Sequence, residues 1–322
     1  MSAILEVEDL RKTFGGIVAV DGATFDIKEG SITGLIGPNG AGKTTTFNLI
    51  SGFYKPDSGT VRYDGQPLQD LMTASSDERL IWGSASGLTF GSIGAVAAVG
   101  ATGLGTATSL GVGALGAGLG AGVYLGQERL KTASDGHKFS RPFMLAREGL
   151  ARTFQITREL SDMTARENLM LAPQQQAGEK LVNAWFRRDT VAEEENALYE
   201  RATEMLELLE IDHVAEELAG NLSGGQRKLL ELGRVLMLDP KLVLLDEPVA
   251  GVNPALTEKL TDRIRALRDE GYTFCIVEHD MEVIMDLCDT IIVMNEGKKL
   301  VEGEPATIRD DQRVIDAYLG VD

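Results

Sequence analysis

The sequence predicts an α/β fold built on a parallel sheet, and three observations predict it. Short apolar strands alternate with helical segments through much of the chain. In "SITGLIGPNGAGKTTTF" a glycine-rich turn separates an apolar strand from a helix. In "KLVLLDE" a second apolar strand ends on two adjacent carboxylates. Alternation of strand and helix is the pattern of a parallel sheet covered by helices. Ligands of such sheets lie at the carboxyl ends of the strands.

In chain order, Ile4 to Ile36 alternate apolar and polar residues in short runs broken by "FGG" and "KEG", which reads as a small set of strands. A helix is expected from Lys43 to about Ser51. "YKPDSGTVRYDGQ" gives turn, strand and turn, with Pro56, Asp57, Ser58 and Gly59 as turn formers. "GLARTFQ" resumes a strand. Ala165 to Leu238 read as mostly helical, because "VAEEENALYERATEMLELLE" repeats its apolar residues at the helical period. Then come strand "KLVLLDE", a helix from Pro254 to Glu270, strand "TFCIVEHD", another helix, strands around "TIIVMNEGKKLVEGE" and a terminal helix "RVIDAYLG".

Composition narrows the partners. The 322 residues carry 49 acidic against 31 basic side chains, a net charge of −18. Nucleic acid is excluded as the main partner, because phosphate backbones need stripes of Lys and Arg. Simple adhesion to an anionic bilayer is excluded for the same reason. Cys275 and Cys288 lie in apolar runs and read as small core residues. "MSAILEVEDL" has acids where a signal peptide has bases, so a cytosolic location is expected.

The spacing of Gly37, Gly42, Lys43 and Thr44 matches the phosphate-binding loop, and its strand–turn–helix setting is the one the chemistry needs. Glycines let the backbone curl its N–H groups toward β- and γ-phosphates, and the helix start adds positive potential. Lys43 would reach the same phosphates, and the Thr44 hydroxyl would bind Mg²⁺. Leu242 to Leu245 need no more explanation than core packing, but Asp246 and Glu247 at the strand end do. Asp246 suits the Mg²⁺ shell and Glu247 suits activation of an attacking water. Together these resemble a P-loop NTPase (RecA-like) core, a resemblance that implies an antiparallel β subdomain and an α-helical subdomain beside it.

In "NLSGGQRKLL", Ser223 is a natural N-cap for the helix it opens. This LSGGQ also closely resembles the signature of ABC transporter nucleotide-binding subunits. The resemblance covers about Ile4 to Gln66 and Leu145 to the C-terminus. It implies that Gly37, Pro38, Asn39, Gly40, Ala41, Gly42, Lys43, Thr44 and Thr45 wrap ATP in one subunit. Ser223, Gly224, Gly225 and Gln226 of a facing subunit would then close over it. It implies stacking of Phe14 on adenine, a γ-phosphate contact for His279, and a role for Gln155 in sensing both Mg²⁺ and the membrane partner. His137 and His213 have no such setting and read as surface residues. One departure is Asn253 in "EPVAGVNP", where the family commonly has Asp. Asn253–Pro254 is also a good helix cap followed by a first-turn proline.

"GPNGAGKTTTFNLISGFYKPDSG", "GLARTFQ", "IVEHDM" and "AYLG" look like the ATP-binding subunits that drive branched-chain amino acid uptake. Urea or amide importers and lipopolysaccharide-type exporters are close alternatives, and a non-transport ABC ATPase is a more distant one. The resemblance implies two permease subunits, a second ATP-binding subunit and, indirectly, an external solute-binding protein. It places the chain peripherally on the cytoplasmic face of the cell membrane. The expected division is a nucleotide-binding core with its β subdomain (1–71, 142–158 and 236–322) and a helical subdomain (159–235), interrupted by an insert (72–141).

That insert is the anomaly. From Leu80 to Gln127, 48 consecutive residues carry no charge, and 14 of them are Gly and 9 Ala. Gly83, Gly87, Gly91 and Ala95 share a four-residue spacing, as do Ala114, Gly118, Gly122 and Gly126. Each row would give a helix one smooth face for close packing. Each arm, as helix, is ~30 Å long, about one bilayer core. Gly costs about 1 kcal/mol per residue in a water-exposed helix, which disfavours a free-standing hairpin. The expectation is a helical hairpin that inserts into, or packs along, a membrane phase. A disordered apolar loop and packing against the ATPase core are the alternatives.

Overall fold

In a computed structural model of the protein, the described residues are 2–72, 142–153, 159–174, 176–179, 185 and 187–319. Gln155, His137 and the insert from 73 onward lie outside them. Chain contacts divide the protein into two units, 1–68 with 141–322 and 69–140, and almost all of the second is outside the described residues.

The chain opens with β1 (Ala3–Phe14) and β2 (Ile17–Lys28), then β3 (Ile32–Ile36) and α1 (Lys43–Ile50). β4 (Ser58–Tyr63), β5 (Gln66–Pro67) and α2 (Leu68–Leu71) follow. After the insert come α3 (Pro142–Arg147), β6 (Leu150–Arg152), α4 (Ala165–Met170), α5 (Arg188–Leu208) and α6 (Gly224–Leu236). The remainder is β7 (Leu242–Asp246), α7 (Pro254–Asp269), β8 (Thr273–Val277), α8 (Met281–Leu287), β9 (Thr290–Asn295), β10 (Lys298–Gly303), α9 (Pro305–Arg309) and α10 (Gln312–Leu319).

One sheet is antiparallel, in the order β2-β1-β4-β5. Its first two strands, at 12 residues each, are separated at Gly15 and Gly16, and β2 ends at Lys28, so the breaks fall in the "FGG" and "KEG" stretches. Within β1 the pairing slips between Val7 and Leu10, where Asp9 takes a left-handed φ of 47°. Such a bulge breaks apolar alternation without ending the strand.

The second sheet runs β10-β9-β3-β8-β7-β6, parallel from β9 to β6 with β10 antiparallel at its edge. Its central strands β3, β7 and β8 are buried at every position, as strands covered on both faces must be. Leu35 and Asp246 both register with Val277, so the ends of β3, β7 and β8 are level. The residues after them therefore meet along one edge of the sheet.

The helical stretch packs on the same core. A continuous apolar cluster joins Ile36 and Leu245 of the sheet to Leu229 of α6 and Leu206 of α5. Capping boxes start two of its helices, Thr164 with Glu167 at α4 and Ser223 with Gln226 at α6. α7 ends one residue before its expected end, and α9, with Pro305 in its first turn, is a short element the sequence reading passes over.

Candidate functional site: a phosphate loop facing two carboxylates

The loop from Gly37 to Gly42 is held open by backbone that other residues cannot copy. A Cβ on Gly37 would lie 2.1 Å from the Met294 carbonyl oxygen, and one on Gly42 would lie 2.4 Å from that of Ala19. Ala41 accepts a hydrogen bond from Gly297 N–H at 3.1 Å, so the β9–β10 turn braces the loop. Asn39, Gly40 and Thr44 are exposed, Pro38 and Thr45 are half-buried, and Lys43 is buried.

The Lys43 ammonium donates to the carbonyls of Gly37 (2.7 Å) and Pro38 (3.0 Å). Burial holds it below the ordinary lysine range, and the Glu247 carboxylate opposes that shift. A partly desolvated cation next to loop carbonyls gains from an incoming anion, because charges attract more strongly where water is thin.

Across from the loop, β7 delivers Asp246 and Glu247. Glu247 has φ of 51°, an uncommon conformation for a side chain of its size. Its N–H donates to Val277 O at 2.8 Å and its carbonyl accepts from Lys228 Nζ at 2.9 Å. Its carboxylate Oε1 lies 2.9 Å from His279 Nε2. Strained backbone held from several sides is a recurrent feature of catalytic positions. His279 is itself set by Glu278, whose two carboxylate oxygens accept from the N–H groups of Val249 (2.8 Å) and His279 (3.0 Å). Burial raises the Glu278 carboxyl above its ordinary range, against those hydrogen bonds.

Asp246 is paired with Arg152, Nη2 to Oδ2 at 2.8 Å. The same guanidinium donates to Asn48 Oδ1 (2.7 Å) and Ser51 Oγ (2.8 Å) and lies over the Phe47 and Phe53 rings. Sequence reading missed Arg152. Its one signal is a charged residue closing the apolar start of "LARTF". Lys228 and Glu278 were also missed; neither position has a distinguishing local pattern.

The remaining predicted residues fall as follows. Phe14 is 38% exposed and makes an edge-to-face contact with Tyr54, centroids 5.3 Å apart. Ser223 caps α6, accepting from Gln226 N–H at 3.3 Å, while its own N–H donates to Gln226 Oε1 at 2.9 Å. Gly225 is buried against Leu256 of α7, and Gly224 is exposed. His213, read as a surface residue, is exposed but lies 3.4 Å from Gln226 Nε2. Asn253 caps α7 by accepting from Leu256 N–H at 3.0 Å. Tyr318 of α10 has its hydroxyl raised by burial, with the Gly37 N–H favouring the ionised form, which places the C-terminal helix beside the loop. Cys275 and Cys288 are buried free thiols, and burial pushes Cys275 up to about 12.

The donor set suits a hard divalent cation. Thr44 and Asp246 offer oxygen, and among the described residues no group of three or more His, Cys, Asp or Glu forms an all-protein cage. Mg²⁺ takes one or two protein oxygens and completes its shell with phosphate and water.

Comparison with known proteins gives the chain's family. The family described as "ABC transporter" matches residues 20–93 and 122–250, and that described as "Branched-chain amino acid ATP-binding cassette transporter" matches 298–322. The chain is 33% identical over 318 residues to a high-affinity branched-chain amino acid transport ATP-binding protein of Pseudomonas aeruginosa, covering 98% of both. It is 32% identical to a probable protein of the same description from Archaeoglobus fulgidus, covering 98% of this chain and 95% of the relative. Among solved structures, an ATP-binding cassette of an ABC transporter in its ADP conformation aligns with a TM-score of 0.67 at 28% identity, covering 99% of this chain and all of that one. A nucleotide-free cassette gives 0.66 at 28%, covering 98% of each. The chain belongs to the ABC transporter family, and within it to the ATP-binding proteins of branched-chain amino acid transport.

Proposed function

We propose that this chain is the ATP-hydrolysing subunit of an importer for branched-chain amino acids. One observation carries the reading: a buried Lys43 on its loop faces a strained Glu247 held by His279. The loop N–H groups and Lys43 grip the β- and γ-phosphates, and Phe14 stacks on adenine. Thr44 and Asp246, with Gln155 as the resemblance implies, would hold Mg²⁺, which would draw charge from the phosphates. Glu247 orients and polarises the attacking water, and His279 fixes the Glu247 carboxylate beside the γ-phosphate. Catalysis is then mostly positioning and charge stabilisation around an in-line displacement.

Ser223, Gly224, Gly225 and Gln226 close over the ATP of a second subunit, either a copy or a paralogue. Closure drives two permease subunits, loaded by an external solute-binding protein, with the chain on the cytoplasmic face of the membrane. The exposed apolar side chains of Leu160, Leu171, Trp185, Tyr199 and Leu218 in the helical segment support docking there. We also assign 159–235 as the helical subdomain and 72–141 as the insert.

The test is nucleotide titration. Lys43→Ala is expected to weaken ATP binding at least tenfold, since it removes a charge-assisted contact. Unchanged ATP affinity in that variant overturns the reading.

A further inference from the structure

The pair of Lys12 and Asp57 is unexplained by anything above. Lys12 is 0% exposed, although it lies only two residues from the half-open Phe14. An ammonium has three N–H bonds. One goes to the Lys55 carbonyl at 2.7 Å, one to Asp57 Oδ1 at 2.9 Å, and the charge lies over the Phe14 ring, 5.5 Å from its centroid. The other carboxylate oxygen of Asp57 accepts from Thr13 N–H (2.7 Å) and from the Thr13 hydroxyl (2.6 Å).

These bonds tie the residues just before Phe14 to the loop that follows α1. That loop is tied in turn to α1, because the N–H groups of Phe53 and Tyr54 both donate to the Asn48 carbonyl, at 2.8 and 3.0 Å. An unbroken chain of short contacts therefore runs from the phosphate-loop helix to the aromatic ring. Lys12 is buried but the Asp57 side chain is 32% exposed, and an ion pair so open to water contributes little to stability by itself. The ammonium adds an attraction to one face of the ring that fixes its plane. Phe14 is 38% exposed even with Lys12 and the edge-on Tyr54 ring against it, so part of the ring stays free for a further contact.

We propose that Lys12 and Asp57 are positioning residues for the nucleotide base: they hold the Phe14 ring at a fixed distance and tilt from the phosphate loop. This rests on the reading of Phe14 as the adenine platform. The pair then matters for a nucleotide that carries a base and not for a bare triphosphate.

The experiment measures the binding of ATP and of inorganic tripolyphosphate to the full chain and to its Lys12→Met, Asp57→Asn, Phe14→Ala and Lys12→Met/Phe14→Ala variants. Lys12→Met and Asp57→Asn are each expected to weaken ATP roughly tenfold, the scale of one well-placed ring contact. Tripolyphosphate affinity is expected to stay within about twofold, and Lys12→Met to add nothing once Phe14 is removed. If Lys12→Met does not fold, Asp57→Asn, which keeps the outline of the carboxylate, carries the same comparison. Equal losses for ATP and tripolyphosphate overturn the proposal, as does a Lys12→Met effect that persists without Phe14. If Phe14→Ala weakens ATP but both pair variants bind it normally, the positioning role alone is wrong. If Phe14→Ala leaves ATP affinity intact, the adenine platform itself is wrong, and the proposal falls with it.

Discussion

The Glu247 carboxylate combines an unfavourable backbone conformation with a 2.9 Å contact to His279. Glu210 takes a similar φ away from the site, so it is the contact to His279 that sets Glu247 apart. Glu247→Gln keeps the shape but cannot take a proton, so ATP binding is expected to persist while turnover falls about 10²–10⁴-fold, the usual worth of a general base. Single-turnover hydrolysis beside equilibrium binding checks this, and equal loss of both would assign Glu247 to binding. Asp57 gives a pH prediction. The Thr13 hydroxyl above all, aided by Lys12, holds its carboxyl at about 2 against an ordinary 3.8. A depressed carboxyl contributes stability that is fully present above its unfolded value and is lost as pH falls through its folded one. The stability gap between the parent and Asp57→Asn is therefore expected to be constant at neutral pH and to shrink between 3.8 and about 2. Urea unfolding across that range measures it, and a gap that widens on acidification contradicts the assignment.

At the scale of elements, two positions separate packing from chemistry. Gly59, the second residue of β4, has φ of 84°, and a Cβ there would lie 2.3 Å from the Asp9 carbonyl oxygen at the β1 bulge. Backbone on both sides cannot yield, so Gly59→Ala is expected to cost about 2–4 kcal/mol from left-handed strain and overpacking together. The readout is a lower urea midpoint at unchanged slope. At α7 the question is whether Asn253 is more than a cap. Its side chain satisfies Leu256 N–H, and Pro254 follows in the first turn. Asn253→Ala is expected to cost about 0.5–2 kcal/mol and Asn253→Asp almost nothing, since both Asn and Asp cap well. Thermal unfolding of the two variants decides it. Equal destabilisation would show that the cap contributes nothing and that the residue is kept for another purpose.

The whole molecule raises the question of the uncharged stretch, which an acidic chain of net charge −18 cannot recruit to a bilayer by charge. No helix among the described residues is long and apolar enough to cross a membrane, and residues 80–127 lie outside that set. The family match also breaks over 94–121, inside the stretch. On the hairpin reading, the intact chain floats with liposomes and a deletion of Leu80 to Gln127 stays with the soluble fraction. Insertion is wrong if neither form floats.

The sequence by itself determined what is local. The phosphate loop, the Asp246–Glu247 strand end and the Ser223 and Asn253 caps are each written within a few residues, because turns, caps and strand ends are set by neighbours along the chain. Tertiary structure alone decided which charges meet. Arg152 reaches Asp246 across 94 positions and Lys12 reaches Asp57 across 45. No periodicity links such residues; only the strand order of the two sheets brings them within hydrogen-bond distance. The Arg152–Asp246 bridge lies mostly out of water, and there a charge must find a partner or remain unpaired at high cost.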